Sequence, residues 1–236
     1  MSFFDNSMER QKPIAAELMR NVMQQVYLYM MMGLFTTAAA AFATLQTGLT
    51  DTIVQNPIIL IAAIIGELLL VMALGMGINR MAYGTLFSMF FVYSALNGVT
   101  LSLIFLAYTT GSITSAFVST ACLFGAMSIV GMTTKVDLTK YGSFFLMALI
   151  GLIVASVINI FLRSSGLDFM ISIAGVLIFT ALTAYDTQRI QRMASYPGVS
   201  ENPDLVRRMS LMGALHLYLD FINLFIYLLR LFGKRR

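Results

Sequence analysis

The chain has 236 residues, of which 58% are hydrophobic and 11% are charged, and its formal net charge is +4. A soluble globular domain carries about 25% charged residues. Too few polar side chains remain here to cover a soluble fold, so the composition excludes one and predicts an all-α membrane protein. The basic residues occur in short loops and near the carboxyl terminus, a pattern that does not favour a nucleic-acid partner. The single cysteine, Cys122, excludes an intrachain disulfide and a multi-cysteine zinc site.

Residues 1–22 are polar and of mixed charge, and they lack the apolar core and cleavage site of a secretory signal peptide. We interpret them as an amino-terminal tail. From residue 23 onward, apolar segments alternate with short polar breaks. We predict seven transmembrane helices at residues 24–45, 58–78, 85–108, 114–132, 143–162, 169–189 and 212–232. Each is close to the roughly 20 residues that a helix needs to cross a bilayer. Residues 23–236 are therefore expected to form one seven-helix transmembrane domain.

The connections between these helices are short. Turn-forming pairs such as Asn56-Pro57 separate the apolar segments, and the largest hydrophilic loop is expected at residues 188–210. No soluble domain fits into such connections. Whatever the protein does is therefore expected to happen within or at the membrane.

Lysine and arginine residues predict the orientation of the chain, because cytoplasmic loops carry an excess of them. The tail and the loops after the second, fourth and sixth spans carry Arg10, Lys12, Arg20, Arg80, Lys135, Lys140, Arg189, Arg192, Arg207 and Arg208. The other loops carry only Arg163. This asymmetry places the amino terminus in the cytoplasm. The basic end of the chain, residues 230–236, opposes the rule unless the last helix crosses only half of the membrane.

Two aspartates, Asp186 and Asp220, lie inside the apolar runs of the sixth and seventh spans. An ionisable group in the membrane is costly, so its default interpretation is functional. Asp186 is expected ~5 Å inside the cytoplasmic end of its helix, and Asp220 about 8 Å below the same surface. The two side chains are therefore expected to meet near the cytoplasmic mouth.

Adjacent carboxylates do not easily both ionise, so such a pair holds one proton in common and acts as a pH sensor. Loss of that proton forces the carboxylates apart or recruits a cation. Arg80 is a candidate for this cation, although it is equally interpretable as a loop charge that sets topology. Ca²⁺ is another candidate, since it prefers carboxylate oxygens.

Further polar residues lie inside the spans. His216, Asp220, Asn223 and Tyr227 share one face of the seventh helix, while its opposite face is apolar. The candidate pore-lining residues are Glu67, Asn97, Thr183, His216 and Asn223. Each also has a structural interpretation: a protonated Glu67, a neutral His216 or a small polar group bonded across helices for packing alone.

Two long segments closely resemble the signature sequences of the Bax inhibitor-1 (transmembrane BAX inhibitor motif) family, and particularly its bacterial branch. They are residues 180–188, TALTAYDTQ, and residues 213–225, GALHLYLDFINLF. Residues 93–102, YSALNGVTLS, and residues 124–137, FGAMSIVGMTTKVD, agree as well. The resemblance extends over nearly the whole chain from about Tyr27 onward.

The resemblance implies a seven-helix bundle whose last helix is surrounded by the other six, in the bacterial inner membrane. It implies a pH-sensitive calcium leak channel, gated by the aspartate pair that also binds calcium, here Asp186 and Asp220. A second-helix arginine latches that pair in the family, and Arg80 is the candidate here. Calcium is then a permeant or weakly bound ion, and no tightly bound cofactor is expected.

Two alternatives belong to other classes of function. An intramembrane aspartyl protease also places one aspartate on each of two neighbouring helices. Bulky residues, Leu217-Tyr-Leu-Asp220, stand where such a protease needs Gly-x-Gly-Asp, so no enzyme activity is predicted. A non-transporting regulator that binds a membrane protease of the FtsH kind through residues 1–22 stays open.

Overall fold

The computed structural model describes residues 3–78, 80–195 and 202–236, with side chains described from Glu17 onward. Within these ranges the chain is helical and contains no β-strand. The helices are α1 (Phe3–Gln46), α2 (Leu49–Gln55), α3 (Pro57–Gly77), α4 (Tyr83–Leu101), α5 (Ile104–Ala107), α6 (Thr110–Thr133), α7 (Gly142–Leu162), α8 (Ser165–Ala194) and α9 (Pro203–Phe232), with a 3₁₀ turn at Leu138–Tyr141.

The prediction of seven membrane-spanning helices is confirmed. Seven stretches are long and apolar enough to cross a bilayer: Glu17–Gln46, Pro57–Gly77, Tyr83–Ala107, Thr110–Thr133, Leu138–Leu162, Ser165–Ala194 and Pro203–Phe232. The chain is therefore a multi-pass all-α membrane protein. The third of these stretches contains a break after Leu101, where the Ser102 hydroxyl donates to the carbonyl of Val99 at 2.6 Å.

Two boundaries differ from the sequence-based prediction. Helix α1 begins at Phe3, so the polar residues assigned to a tail continue the first span as helix. The expected 188–210 loop is wrong, because α8 continues to Ala194 and α9 already begins at Pro203. Proline is favoured in the first turn of a helix, and the Asn202 side chain accepts from the Leu205 amide at 3.1 Å as an amino-terminal cap.

The chain divides into two compact units, and α8 and α9 contribute to both. The first unit comprises Met1–Leu103 and Ile190–Leu215, and the second comprises Ile104–Arg189 and His216–Arg236. In the first unit, α1 and α4 approach closely. A side chain at Gly98 would collide with the Thr37 carbonyl, and the Thr37 hydroxyl donates to the Ser94 carbonyl at 2.9 Å. Small residues permit such contact between membrane helices.

The second unit uses the same principle. Gly131 of α6 lies against the backbone of Ala184 in α8, and Gly175 of α8 lies against the ring of Tyr227 in α9. Two α6 rings flank Phe221 edge-on, with centroids 5.6 Å away for Phe117 and 5.5 Å away for Phe124. These contacts hold α8 and α9 in register beside α6.

The last helix is the most buried of the seven, as expected for a central helix. In α9, 72% of the apolar 18-residue stretch is buried, compared with 39% in α8 and 6% in α3 and α7. Its apolar face is fully enclosed, with Leu217 and Leu224 at 0% exposure. The apolar side chains of α3 and α7 are instead largely exposed, which suits contact with lipid.

Residues 233–236 attach to the segment that precedes α6. The Thr109 amide donates to the Lys234 carbonyl at 3.2 Å, and the Arg236 amide donates to the Ala107 carbonyl at 3.0 Å. The second-unit part of α9 therefore runs from His216, which is beside Asp186 near the end of α6, to the start of α6. Pro203–Phe232 is 30 residues long and apolar enough to cross a bilayer, so its length favours a full crossing by the last helix over a half crossing.

Candidate functional site

The structure brings Asp186 of α8 and Asp220 of α9 together in the second unit. Their carboxyl groups lie within hydrogen-bonding reach of each other. Both are buried, with 8% of Asp186 and 4% of Asp220 exposed. A hydrogen bond between two carboxyl groups requires a proton, so the pair is suited to hold one in common.

The local packing explains why the two acids face each other. Because Gly131 has no side chain, α6 contacts the α8 backbone at Ala184, two residues before the acid. The neighbouring hydroxyls fold back onto their own helix: Thr183 donates to the Phe179 carbonyl at 2.8 Å and Thr187 to the Thr183 carbonyl at 2.7 Å. Thr183 was a candidate for the pore lining, and the structure places it beside the pair, fully buried.

Two further side chains, a guanidinium and an imidazole, lie near the pair. Arg189 lies 3.9 Å from Asp186, measured from Nη1 to Oδ1, and 45% of its side chain is exposed. This distance exceeds that of a hydrogen bond, so the contact is electrostatic. His216 lies one turn before Asp220 and interacts electrostatically with Asp186. The site thus combines two carboxyls, an imidazole and a guanidinium.

One carboxyl oxygen has no partner. Asp220 Oδ2 is buried and accepts no hydrogen bond from any residue within the described ranges. Leaving a buried polar atom unpaired costs about 1–3 kcal/mol. Such an oxygen is available to a proton or to a cation that reaches the pair.

Gln188 anchors this part of α8 and was not predicted from the sequence. Its Nε2 donates to the Val136 carbonyl at 2.8 Å, and its Oε1 accepts from the Leu138 amide at 2.7 Å. Both partners belong to the connection between α6 and α7. A side-chain amide suits this role because it supplies a donor and an acceptor at once. The clamp fixes the helix two residues beyond Asp186.

The remaining predicted residues occupy other positions. In the first unit, Glu67 accepts from the Thr100 hydroxyl at 2.7 Å and from the Asn97 amide at 3.4 Å. Asn223 donates to the Leu219 carbonyl of its own helix at 2.8 Å. Arg80 is exposed in the turn after α3, within the first unit. Its role as a latch stays a prediction.

The pair alone supplies too few oxygen atoms to fill the coordination shell of a calcium ion. Calcium takes 6–8 oxygen ligands, whereas two carboxyl groups supply no more than four. Across residues 3–78, 80–195 and 202–236, no group of three or more His, Cys, Asp or Glu side chains is placed to hold a metal ion. A calcium ion at Asp186 and Asp220 would therefore keep much of its water.

Comparison with known proteins gives consistent matches over most of the chain. A family model described as "Inhibitor of apoptosis-promoting Bax1" matches residues 19–236. Inner membrane protein YbhL of Escherichia coli is 45% identical over 219 residues, which cover 92% of this chain and 93% of that protein. An uncharacterised protein of Borreliella burgdorferi is 46% identical, covering 90% of this chain and 91% of that protein. Protein RP147 of Rickettsia prowazekii is 41% identical, covering 93% and 92%.

Proposed function

Because the chain belongs to the Bax inhibitor-1 family, we propose that it is a calcium leak channel gated by the proton shared between Asp186 and Asp220. One observation supports this role above all: two buried carboxyl groups on neighbouring helices lie within hydrogen-bonding reach, and one of their oxygens is unpaired. The relative in Escherichia coli is named an inner membrane protein. We assign this chain to the same kind of membrane, with its amino terminus in the cytoplasm.

In the closed state one proton joins the two carboxyl groups and holds α8 and α9 together at this point. Loss of the proton leaves two negative charges side by side in a poorly solvated site, where their repulsion is strong. The carboxylates then separate, and the cation path opens. Arg189, on the same helix, attracts the ionised Asp186 and keeps its side chain in place. Asp220 is therefore the group that turns toward the ion.

Other groups of the second unit are suited to line the path. The hydroxyls of Ser128 on α6 and Thr180 on α8 are buried, and neither has a hydrogen-bond partner among the described residues. Such groups can replace part of the water around a moving cation. We propose that His216 relays the proton and that Arg80 is the latch, which closes the path by pairing with the carboxylates.

The test is calcium flux into dye-filled liposomes as a function of pH. Wild-type flux is expected to rise with pH, because deprotonation opens the path. Asp186→Asn and Asp220→Asn each remove the shared proton's site, so both variants are expected to lose the pH dependence. Asp51→Asn is the matched control, since Asp51 is exposed on α2 and lies outside the pair.

A pH dependence unchanged in both aspartate variants would contradict the gate. Absence of calcium flux at every pH would overturn the channel itself. The remaining role would then be regulation without transport, in which residues 1–22 bind a membrane protease. Capture of that protease by the wild type and by the double asparagine variant, but not by a chain lacking residues 1–22, would identify this role.

A further inference from the structure

A second polar region lies in the second unit, far along α8 from the aspartate pair. Asp168 is in the first turn of α8, 18 residues before Asp186, which corresponds to about 27 Å of helix. A cavity of about 650 Å³ lies here, lined by residues of α5, α7, α8 and α9. An adjoining cavity of about 560 Å³ reaches Arg163 at the end of α7. Neither cavity has a role in the proposed gate.

The larger cavity is amphipathic. Its apolar wall comprises Ile104, Ile160, Ile171, Ile226 and Leu229. Its polar side chains lie at helix ends, where a membrane meets water: Asn159 is three residues from the end of α7, and Arg230 is two residues from the end of α9. A ligand that fills the cavity therefore needs a polar group at the helix ends and hydrocarbon beside them.

The polar end of the cavity carries excess positive charge. Arg163, Arg230 and Arg235 line the two cavities together with a single acid, Asp168. Arg235 lies 3.8 Å from Asp168, measured from Nη2 to Oδ2. Within the part of the chain that the structure describes, neither Arg163 nor Arg230 forms an ion pair. Two guanidinium groups thus remain available to an anion.

An aromatic contact holds the guanidinium of Arg230 in place. Arg230 lies over the ring of Tyr227 with 5.7 Å between guanidinium carbon and ring centroid. That ring stacks on Phe179 at 5.8 Å and contacts Gly175, so it is fixed. Arg163 ends α7 with φ 50°, a positive value that no other non-glycine residue in the described ranges adopts. A non-glycine residue in this conformation lowers the stability by about 1–3 kcal/mol, and the conformation persists only where the surrounding structure imposes it.

We propose that this amphipathic cavity, together with the adjoining cavity that Arg163 lines, binds an anionic phospholipid of the surrounding bilayer. The phosphate group binds Arg230 and Arg163, because guanidinium groups match phosphate oxygens in geometry and charge. One acyl chain lies along Ile160 and Ile226. The arginines disfavour a cation here, and a small soluble anion would leave the apolar wall unused.

The experiment is native mass spectrometry of the full chain released from mixed bilayers of phosphatidylglycerol and phosphatidylcholine with matched acyl chains. The wild type is expected to retain phosphatidylglycerol preferentially. Each charge-assisted contact contributes enough for roughly a tenfold change in binding. Arg230→Gln and Arg163→Gln are therefore each expected to weaken retention roughly tenfold. Arg230→Lys should lose less, since it keeps the charge.

The matched control is Lys135→Gln with Lys140→Gln, which removes two exposed cations from the connection between α6 and α7. This control is expected to retain phosphatidylglycerol as the wild type does. Equal retention of both lipids by the wild type would overturn the proposal. So would full displacement of the lipid by inorganic phosphate, since the cavity would then be a site for a soluble anion. If the control lost phosphatidylglycerol to the same extent as the arginine variants, general surface charge would explain the retention, and the proposal would be overturned.

Discussion

At the scale of single residues, the buried pair determines how the site responds to pH and to cations. Asp186 has a cation at 3.9 Å and Asp220 has none among the residues that the structure describes. The two carboxyls are therefore not equivalent. When the shared proton leaves, the negative charge on Asp186 is partly compensated by Arg189, and the charge on Asp220 is not. Asp220 is the more reactive partner toward a proton or an ion.

This asymmetry predicts the effect of Arg189→Gln. Removing the cation makes the ionised pair less favourable, so a higher pH is needed to deprotonate it. The midpoint of calcium flux against pH should move upward. The shift should stay below about one pH unit, because a half-exposed guanidinium is screened by solvent. Arg189→Lys preserves the charge and should keep the wild-type midpoint. A downward shift in the glutamine variant would contradict the assigned role of Arg189.

The sequence predicted the two acids and His216, but not the contributions of Arg189 and Gln188. Two aspartates in apolar helices are conspicuous, and the rise per residue suffices to match their depths. Arg189 was interpreted only as a loop charge, although its spacing of three residues from Asp186 indicates contact on a helix. The Gln188 clamp was not predictable in this way. Its partners lie about 50 residues away, in a connection whose path depends on the packing of α6, α7 and α8.

At the scale of helices, contact depends on small residues at a few positions. The approach of α6 to α8 at Gly131 determines where Asp186 lies, because the Ala184 backbone forms the contact surface. Gly125 belongs to the same helix, but a Cβ added there would meet no atom within 4 Å. The two glycines therefore differ in role, although nothing in the local sequence distinguishes them.

Gly131→Ala is expected to destabilise the protein where Gly125→Ala does not. An added methyl group at Gly131 would collide with Ala184 and Thr187, and overpacking of this kind costs about 1–3 kcal/mol. Thermal unfolding should show a lower midpoint for Gly131→Ala, with Gly125→Ala equal to or above the wild type. Equal midpoints for the two variants would mean that α6 and α8 are not in the close contact described.

Helix ends were harder to predict than helix cores. The apolar segments were found because the thickness of the bilayer sets their length. Beyond those segments α8 and α9 continue as polar helix, so hydropathy alone placed residues 188–194 and 203–210 in a loop. The Asn202-Pro203 pair is a helix-start signal that hydropathy does not register.

At the scale of the whole molecule, the basic end of the chain lies beside the segment that precedes α6, whereas Lys135 lies in the connection that follows α6. A single crossing by α6 separates the two. The distribution of lysine and arginine in the loops predicts that the Lys135 side is cytoplasmic. On that prediction, residues 233–236 lie on the opposite side despite their charge.

Labelling tests this topology. In a Cys122→Ser background, Lys234→Cys is expected to react with a membrane-impermeant maleimide in intact spheroplasts, and Lys135→Cys is expected to react only after the membrane is opened. Both lysines are exposed, so accessibility within the fold does not confound the comparison. The reverse pattern would invert the orientation, and equal labelling of both would contradict a full crossing by α6.

The burial of α9 was implied by the family resemblance and not by its own pattern. A polar stripe opposite an apolar face is also typical of a helix at the edge of a bundle. In the structure the apolar face is buried, and on the polar face Asp220 is buried while His216 and Asn223 are half-buried. The burial of α9 depends on the helices packed around it, and the sequence of α9 alone does not show where they lie.

The sparse burial of α3 and α7 has a practical consequence. Only 6% of the apolar stretch of either helix is buried within the protein, so lipid forms most of their surroundings. Short-chain detergents replace that hydrocarbon poorly, and these two helices should be the first to loosen during extraction. Long-chain maltosides are accordingly the better starting point for purification.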